Sequence, residues 1–402
     1  MTMQLKIGFL PLVDACLPIL AHEHGFAEEE GLELTFVRDV SWATVLDRLL
    51  YGHSDAAHML APLAIATTLG RGRPAQKLAA PFVLGLNGNA ITVSNDLAKA
   101  IGVDGTLGDP IVIGAKLKEV AAKARADGRK LRFGVVHRYS SHNYMLRYWL
   151  AGCGIKPDED LDIVTIAPPF SADAIAAGEI DGSCVGEPWN SIAVEQGAGQ
   201  IVLATAQIWR RGVEKVLAVR EDRLAENKTA IAALIRAMCK AGAHFVDPEQ
   251  WDRNAEILSR PEYCNAPIDL VRRAISDRLV LRAGGEPQEY RDFMFQYREI
   301  ANFPWVSQAE WLYSQLVRWD GLEYSAHEAK AAARVFRPDF YRAALLGTDE
   351  PLPSASSKVE GSVSTPLAAS AQAGSITMEN NTFFDRKSFD PDRLEDYIAA
   401  QK

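Results

Sequence analysis

The segment Asp181-Gly182-Ser183-Cys184-Val185-Gly186-Glu187-Pro188-Trp189-Asn190 holds the residue types best suited to meeting a small ligand. An apolar strand signal ends there and the chain reverses, which is where open α/β sheets receive their ligands. Gly186 has no Cβ, so a ligand atom can approach its backbone closely, and its N–H can donate to an oxygen. The same residues also read as a tight turn packed by Pro188 and Trp189. No catalytic pattern accompanies them: H-E-x-x-H, G-x-S-x-G and G-x-x-x-x-G-K-[ST] do not occur. His22 and His24 are two apart, so on a helix they face different sides and make a poor metal pair. The five cysteines, Cys16, Cys153, Cys184, Cys239 and Cys264, are odd in number and scattered, without C-x-x-C spacing. Buried free thiols in a reducing cytoplasm are therefore expected, rather than a disulfide framework or a zinc site. The expectation is a binding protein, not an enzyme, with no cofactor and no metal.

The elements that must position such a site alternate between strand and helix. Lys6 to Leu10, in a strand signal that opens at Gln4, and Leu32 to Val37 read as strands around an apolar-periodic segment from Leu17 to His24 that ends at Gly25. Ser41 is placed to cap a helix over 42–50, its hydroxyl accepting from an early backbone N–H. Strand segments over 81–86 and 90–93 flank the turn signal Asn87-Gly88-Asn89. A new α/β unit opens at 131–136, followed by a helix over 142–151 and strands at 161–166 and 180–185. This alternation predicts parallel sheets with βαβ connections. Beyond about residue 222 the pattern turns helical, over 228–245, 251–258, 268–274 and 308–319. The expected division is lobe 1 over 1–105, lobe 2 over 106–222, and a helical return on lobe 1 over 223–347. A flexible Ser/Ala/Pro/Gly-rich linker over 348–378 and a docking tail over 379–402 complete it. Linkers between lobes are expected near 100–130 and 205–222.

Composition narrows the function classes. The 402 residues suffice for two lobes with separate cores, and 48% hydrophobic with 24% charged residues is ordinary for a globular protein. No run approaches the roughly 18 apolar residues of a membrane helix. A net charge of −9 argues against direct nucleic-acid binding over a broad surface. The first strand starts at Gln4, and Pro11 breaks the apolar run, so no export signal is read and a cytoplasmic location is expected.

Six segments carry a resemblance. They are Lys6-Ile7-Gly8-Phe9, Val40-Ser41-Trp42, His58-Met59-Leu60-Ala61-Pro62, Leu86-Asn87-Gly88-Asn89-Ala90-Ile91, Leu146-Arg147-Tyr148-Trp149-Leu150 and Cys184-Val185-Gly186-Glu187-Pro188-Trp189-Asn190. Together they resemble the nitrate- and bicarbonate-binding proteins of ABC transporters, from about Lys6 to Ala344, and Phe383-Phe384-Asp385 resembles that family's end. The resemblance implies a two-lobed α/β fold of the periplasmic-binding-protein type (type II) with the ligand in the cleft between lobes. It implies Trp42 as the pocket tryptophan, His142 as an imidazole donor, Gly186 as the close-approach glycine and Lys215 as the cation. Asn89 stands where the family usually carries a glutamine; its amide is one methylene shorter, which suits a water-bridged contact. Bicarbonate-binding relatives carry an acidic residue at the Lys215 position and recruit calcium, so the lysine favours nitrate.

Nitrate is a planar monoanion with three acceptor oxygens, so it needs converging donors and about one compensating charge. Lys215 is the expected charge, His142 and Asn89 the donors, and Trp42 an apolar wall. Taken singly, Trp42 also reads as core, Lys215 as surface, His142 as a helix start and Asn89 as a turn residue. The chain looks most like the family's unexported branch, a cytosolic nitrate/nitrite sensor that partners an RNA-binding antiterminator of the NasT kind. The alternatives are a transport component whose leader is missing from this sequence, a bicarbonate sensor, and an enzyme related to the two-lobed proteins of thiamine-pyrimidine synthesis.

Overall fold

The computed structural model describes residues 2–372 and 375–401. Its first strand, β1 (Met3–Phe9), turns its later residues into the core and pairs in parallel with β2 (Leu32–Arg38) and β3 (Ala56–Leu60). Between β2 and β3, helix Trp42–Leu50 begins where the Ser41 hydroxyl accepts from Thr44 N at 3.2 Å, as the sequence predicts. β4 (Leu78–Asn87) is buried along its whole length and leads to Asn87 and Gly88, both with positive φ. There the chain leaves the first sheet.

The second sheet contains β5 (Asn89–Ser94), β6 (Leu131–Val135), β7 (Leu161–Thr165), β8 (Gly182–Gly186) and β9 (Gly199–Ala204), in the order β7-β6-β8-β5-β9. Helix Pro110–Ala126 is capped by Asp109 and leads to β6; helix Ser141–Gly152 is capped by Ser140, which accepts from Asn143 N. The chain then returns to the first sheet as β10 (Val213–Arg220), inserted antiparallel between β3 and β4. With the short strand Met294–Phe295 on the outer side of β4, the first sheet has six strands.

Two sheets with helices on them give the two-lobed α/β fold, but they are mixed rather than all parallel. β5 runs antiparallel to both its neighbours and so does β10. These are the strands that begin just after each passage between lobes, so they enter their sheet from the end opposite to the βαβ strands. The passages lie at 87–89 and between β9 and β10, so β5 belongs to the second lobe and β10 to the first. The first passage lies before the linker expected near 100–130, because a turn signal alone does not tell which sheet its second strand joins. The second lies within the linker expected near 205–222, but β10 falls on the first-lobe side of it, ahead of the expected boundary at 222. The passages lie side by side: Asn87 N donates to Gly212 O at 2.9 Å, and Asn87 Nδ2 to Arg210 O at 2.8 Å.

The segment expected as a flexible linker is placed by specific contacts. The Glu360 carboxylate is buried, accepts from Ser307 Oγ at 2.7 Å and Asn381 Nδ2 at 2.9 Å, and pairs with Lys358. Strands Leu367–Ser370 and Ser375–Met378 form a hairpin; residues 373–374 of this segment lie outside the described residues. Small polar residues there adopt turns that the body's side chains satisfy, which composition cannot reveal. The three phenylalanines beyond it dock on the body. Phe383 stacks on Trp209 and Trp311 at centroid distances of 4.9 and 5.7 Å, Phe384 covers Gly152, and Phe389 is buried beside Tyr397. Phe384 N donates to Ile208 O and Arg210 N to Thr382 O, so the tail is stitched to the second passage.

Candidate functional site

The carboxyl ends of β1, β3 and β8 and the bulged start of β10 converge where the lobes meet. Lys215 stands on β10, fully buried, with its Nζ 5.3 Å from the centre of the Trp42 ring. Trp42 reaches that point because Ser41 starts its helix there, turning the ring inward. From the other lobe, Ser140 caps helix Ser141–Gly152 and thereby puts His142 in its first turn, facing β10. Register places Asn89 directly opposite Gly186 on the β5–β8 ladder. A Cβ on Gly186 would sit 3.1 Å from Asn89 Oδ1 and 3.7 Å from Asp14 Oδ2, so the glycine keeps these two polar groups close.

All five residues expected from sequence, Trp42, Asn89, His142, Gly186 and Lys215, are therefore buried together at one place. Three others were not expected. Asp14, just after β1, takes Lys215 Nζ on its Oδ2 at 2.7 Å and has His58 Nε2 2.9 Å from its Oδ1. Glu214 takes the same Nζ on Oε1 at 2.6 Å, and His142 Nδ1 lies 3.2 Å from that oxygen. Neither histidine approach has the alignment of a hydrogen bond, so we read both as close electrostatic contacts. His58 also packs on Trp42, ring centres 5.3 Å apart. The lobes touch at the rim, where Val13 N donates to Glu187 O at 2.9 Å and Ser141 Oγ to Glu214 O at 3.4 Å.

Charge decides what this cluster can do. Burial works against the Lys215 ammonium, but Asp14 and then Glu214 outweigh it and raise its pKa. Burial likewise pushes the Asp14 carboxyl up, yet Lys215 and His58 hold it well below the usual carboxylate range. Burial pulls His142 down to about 4, more than Glu214 opposes, and lowers His58 against the pull of Asp14. Both imidazoles are thus neutral near pH 7, and two carboxylates against one ammonium leave the cluster one negative charge. Lys215 is a cation whose charge is already matched within the protein.

Several buried polar atoms here have no hydrogen-bond partner among the described residues: Trp42 Nε1, both side-chain atoms of Asn89, His58 Nδ1 and His142 Nε2. Unpaired buried polar groups cost about 1–3 kcal/mol each, and a ligand bearing acceptor oxygens can satisfy several of this set at once. No group of three metal-ligating side chains forms among the described residues; Lys215 Nζ lies between Asp14 and Glu214.

A family model described as the NMT1-like family matches residues 2–259, more than half of the chain. This chain belongs to the NMT1-like family. Its relatives extend the match beyond that model. The nitrate/nitrite binding protein NrtA of Nostoc sp. is 30% identical over 407 residues, covering 100% of this chain and 86% of the relative. The nitrate import ATP-binding protein NrtC of Synechocystis sp. is 33% identical over 339 residues, covering 84% of this chain. This family member spans about half of that longer relative, 49% of its length. The crystal structure of the periplasmic nitrate-binding protein NrtA from Synechocystis superposes with a TM-score of 0.85 at 27% identity, covering 100% of this chain and 99% of the other. The two-lobed solute-binding fold and the kinship to nitrate-binding proteins expected from sequence are both found. Among the described residues no single helix is long and apolar enough to cross a membrane.

The residues that sequence reasoning missed had partial signals. His58 lies inside a segment quoted for the resemblance, and Glu214 immediately precedes Lys215. Neighbours on a regular strand face opposite sides. The β10–β4 ladder, however, shifts register on both sides of Lys215, and this irregularity lets Glu214 and Lys215 meet.

Proposed function

We propose that this protein binds nitrate or nitrite between its lobes and acts as a cytoplasmic sensor of the NasS type. In this reading it holds a NasT-like RNA-binding antiterminator when empty and releases it when the ligand closes the lobes, so controlling nitrate-assimilation genes. The observation that carries the ligand is the burial of Trp42, Asn89, His142, Gly186 and Lys215 together, in a chain related along its whole length to a nitrate/nitrite binding protein. The five free cysteines, four of them buried, support a reducing compartment. Ligand-dependent release needs a partner that tells the two lobe arrangements apart, since a ligand shifts only an equilibrium whose states it binds unequally.

The test is calorimetric titration of the purified chain with nitrate, nitrite, and bicarbonate with and without calcium, followed by co-precipitation with a NasT-like protein. Saturable nitrate or nitrite binding that disappears in Lys215→Glu, with nitrate lowering partner recovery, is the expected result. Bicarbonate binding only with calcium would remove the ligand assignment; partner recovery indifferent to nitrate would remove the sensor role. A second reading, the nitrate-binding component of an ABC importer, is favoured by the kinship to NrtA and NrtC. Fractionation of cells making the native gene product separates the sensor from an importer's solute-binding component of the periplasmic NrtA kind, which would be recovered outside the cytoplasm.

A further inference from the structure

The charge balance of the site reaches past the identity of its ligand. We propose that the anion enters together with a proton held on the His58–His142 pair, and that Asp14 and Glu214 thereby restrict the site to monovalent oxyanions. This rests on the reading of the site as an anion seat.

Lys215 Nζ lies 2.7 Å from Asp14 and 2.6 Å from Glu214. Among the described residues these carboxylates have no other ion-pair partner than Lys215, His58 and His142. An anion bound alone would take the buried cluster from one net negative charge to two, which burial penalises heavily. One proton taken up with it leaves the net charge unchanged. The two imidazoles are built to hold that proton. Each presents one ring nitrogen to a carboxylate, His58 Nε2 to Asp14 and His142 Nδ1 to Glu214, and the opposite nitrogen of each has no hydrogen-bond partner among the described residues. An imidazolium needs acceptors on both sides. On one side the protein sets a carboxylate 2.9 Å from His58 and 3.2 Å from His142, close enough to favour the charged ring though out of hydrogen-bond alignment, and the anion supplies an acceptor on the other side. Trp42 Nε1 and Asn89 Nδ2 add neutral donors.

The other groups facing the cluster do not alter the count. Cys16, beside Asp14, and Cys184 on β8 are neutral thiols, pushed up by burial. The Glu187 carboxyl, next to Gly186, is pushed up to about 7 by burial, but the groups that act on it are Ser191, whose N donates to it at 3.3 Å, Asn190 and Arg273, and not Asp14, Glu214 or Lys215. Helix Trp42–Leu50 directs Arg48 to Asp39, and helix Ser141–Gly152 directs Arg147 to Asp158. A dianion such as sulfate would need about two protons for the same balance, and each further proton must be taken by a buried imidazole beside a charged lysine.

The experiment is titration of the full chain with sodium nitrate in buffers of low and high ionisation enthalpy, between pH 6 and 8.5. We expect uptake of about one proton per nitrate, Kd weakening up to about tenfold per pH unit as pH rises, and no competition by a hundredfold excess of sulfate. His142→Gln and His58→Gln are expected to flatten that pH dependence, one or both according to which ring carries the proton. Nitrate binding with no proton uptake and a flat Kd would overturn the proposal while leaving the nitrate assignment standing. Sulfate competing at parity would overturn the restriction to monovalent ions. Binding of neither nitrate nor nitrite at any pH would overturn both readings.

Discussion

At the scale of the residue, Lys215 organises the site without being free to act as its net charge. Replacing it by glutamate would leave three carboxylates in contact without a cation. We expect Lys215→Glu to abolish nitrate binding and to cost about 3–5 kcal/mol of stability through unpaired Asp14 and Glu214, read by calorimetry and urea unfolding. A fold that survives with unchanged nitrate affinity would put the ligand elsewhere. Gly186→Ala is a gentler probe. Its methyl would press on Asn89 Oδ1 from 3.1 Å and on Leu12 from 3.4 Å, so a neighbour must give by a few tenths of an ångström. The expected result is nitrate binding weakened about tenfold, near 1.4 kcal/mol, in a protein whose circular dichroism is unchanged.

At the scale of the element, the decisive positions are starts and irregularities. Ser140 holds the first turn that carries His142, accepting from Asn143 N at 3.1 Å while donating to His137 O at 2.7 Å. Ser140→Ala should lose about 1 kcal/mol of stability and also weaken nitrate binding, because the same turn aims the imidazole. Ser41→Ala offers the matching test at Trp42, from the opposite lobe. If only stability moved in both variants, the caps would be supporting helices and not aiming ligand groups.

At the scale of the whole molecule, the tail and the pH response depend on how the parts assemble. Phe383 stacks against both Trp209 on the second interlobe passage and Trp311 on helix Val306–Trp319, which also touch each other. Phe383→Ala should cost about 3–5 kcal/mol, read by chemical denaturation; a loss below about 1 kcal/mol would mean the docked tail adds little. The pH response follows from burial. His142 is neutral when folded down to about pH 4 but takes a proton below about 6.5 when unfolded. The unfolded state therefore binds more protons in that window, so His142 removes stability progressively as pH falls from about 6.5 to 4. Measured by thermal unfolding without ligand, wild type should lose ground against His142→Gln across this range. A constant difference would mean that His142 carries its proton in the empty folded state.

How much of this was legible in the chain varies with the range of the interaction. Local patterns located the helices at Trp42 and His142, the turn at Asn87-Gly88-Asn89 and the glycine at 186, because capping, turn chemistry and strand ends are set by residues a few positions apart. The resemblance gathered Trp42, Asn89, His142, Gly186 and Lys215, and the fold brings them together. Sequence could not reveal which sheet β5 and β10 would join, since pairing partners far along the chain decide that. Nor could it reveal that Asp14, more than two hundred residues from Lys215 at 201 positions' separation, and Glu214, its neighbour, would share one ammonium. A lysine in a sequence is a positive charge. Whether that charge is left over for a ligand depends on which carboxylates folding buries beside it.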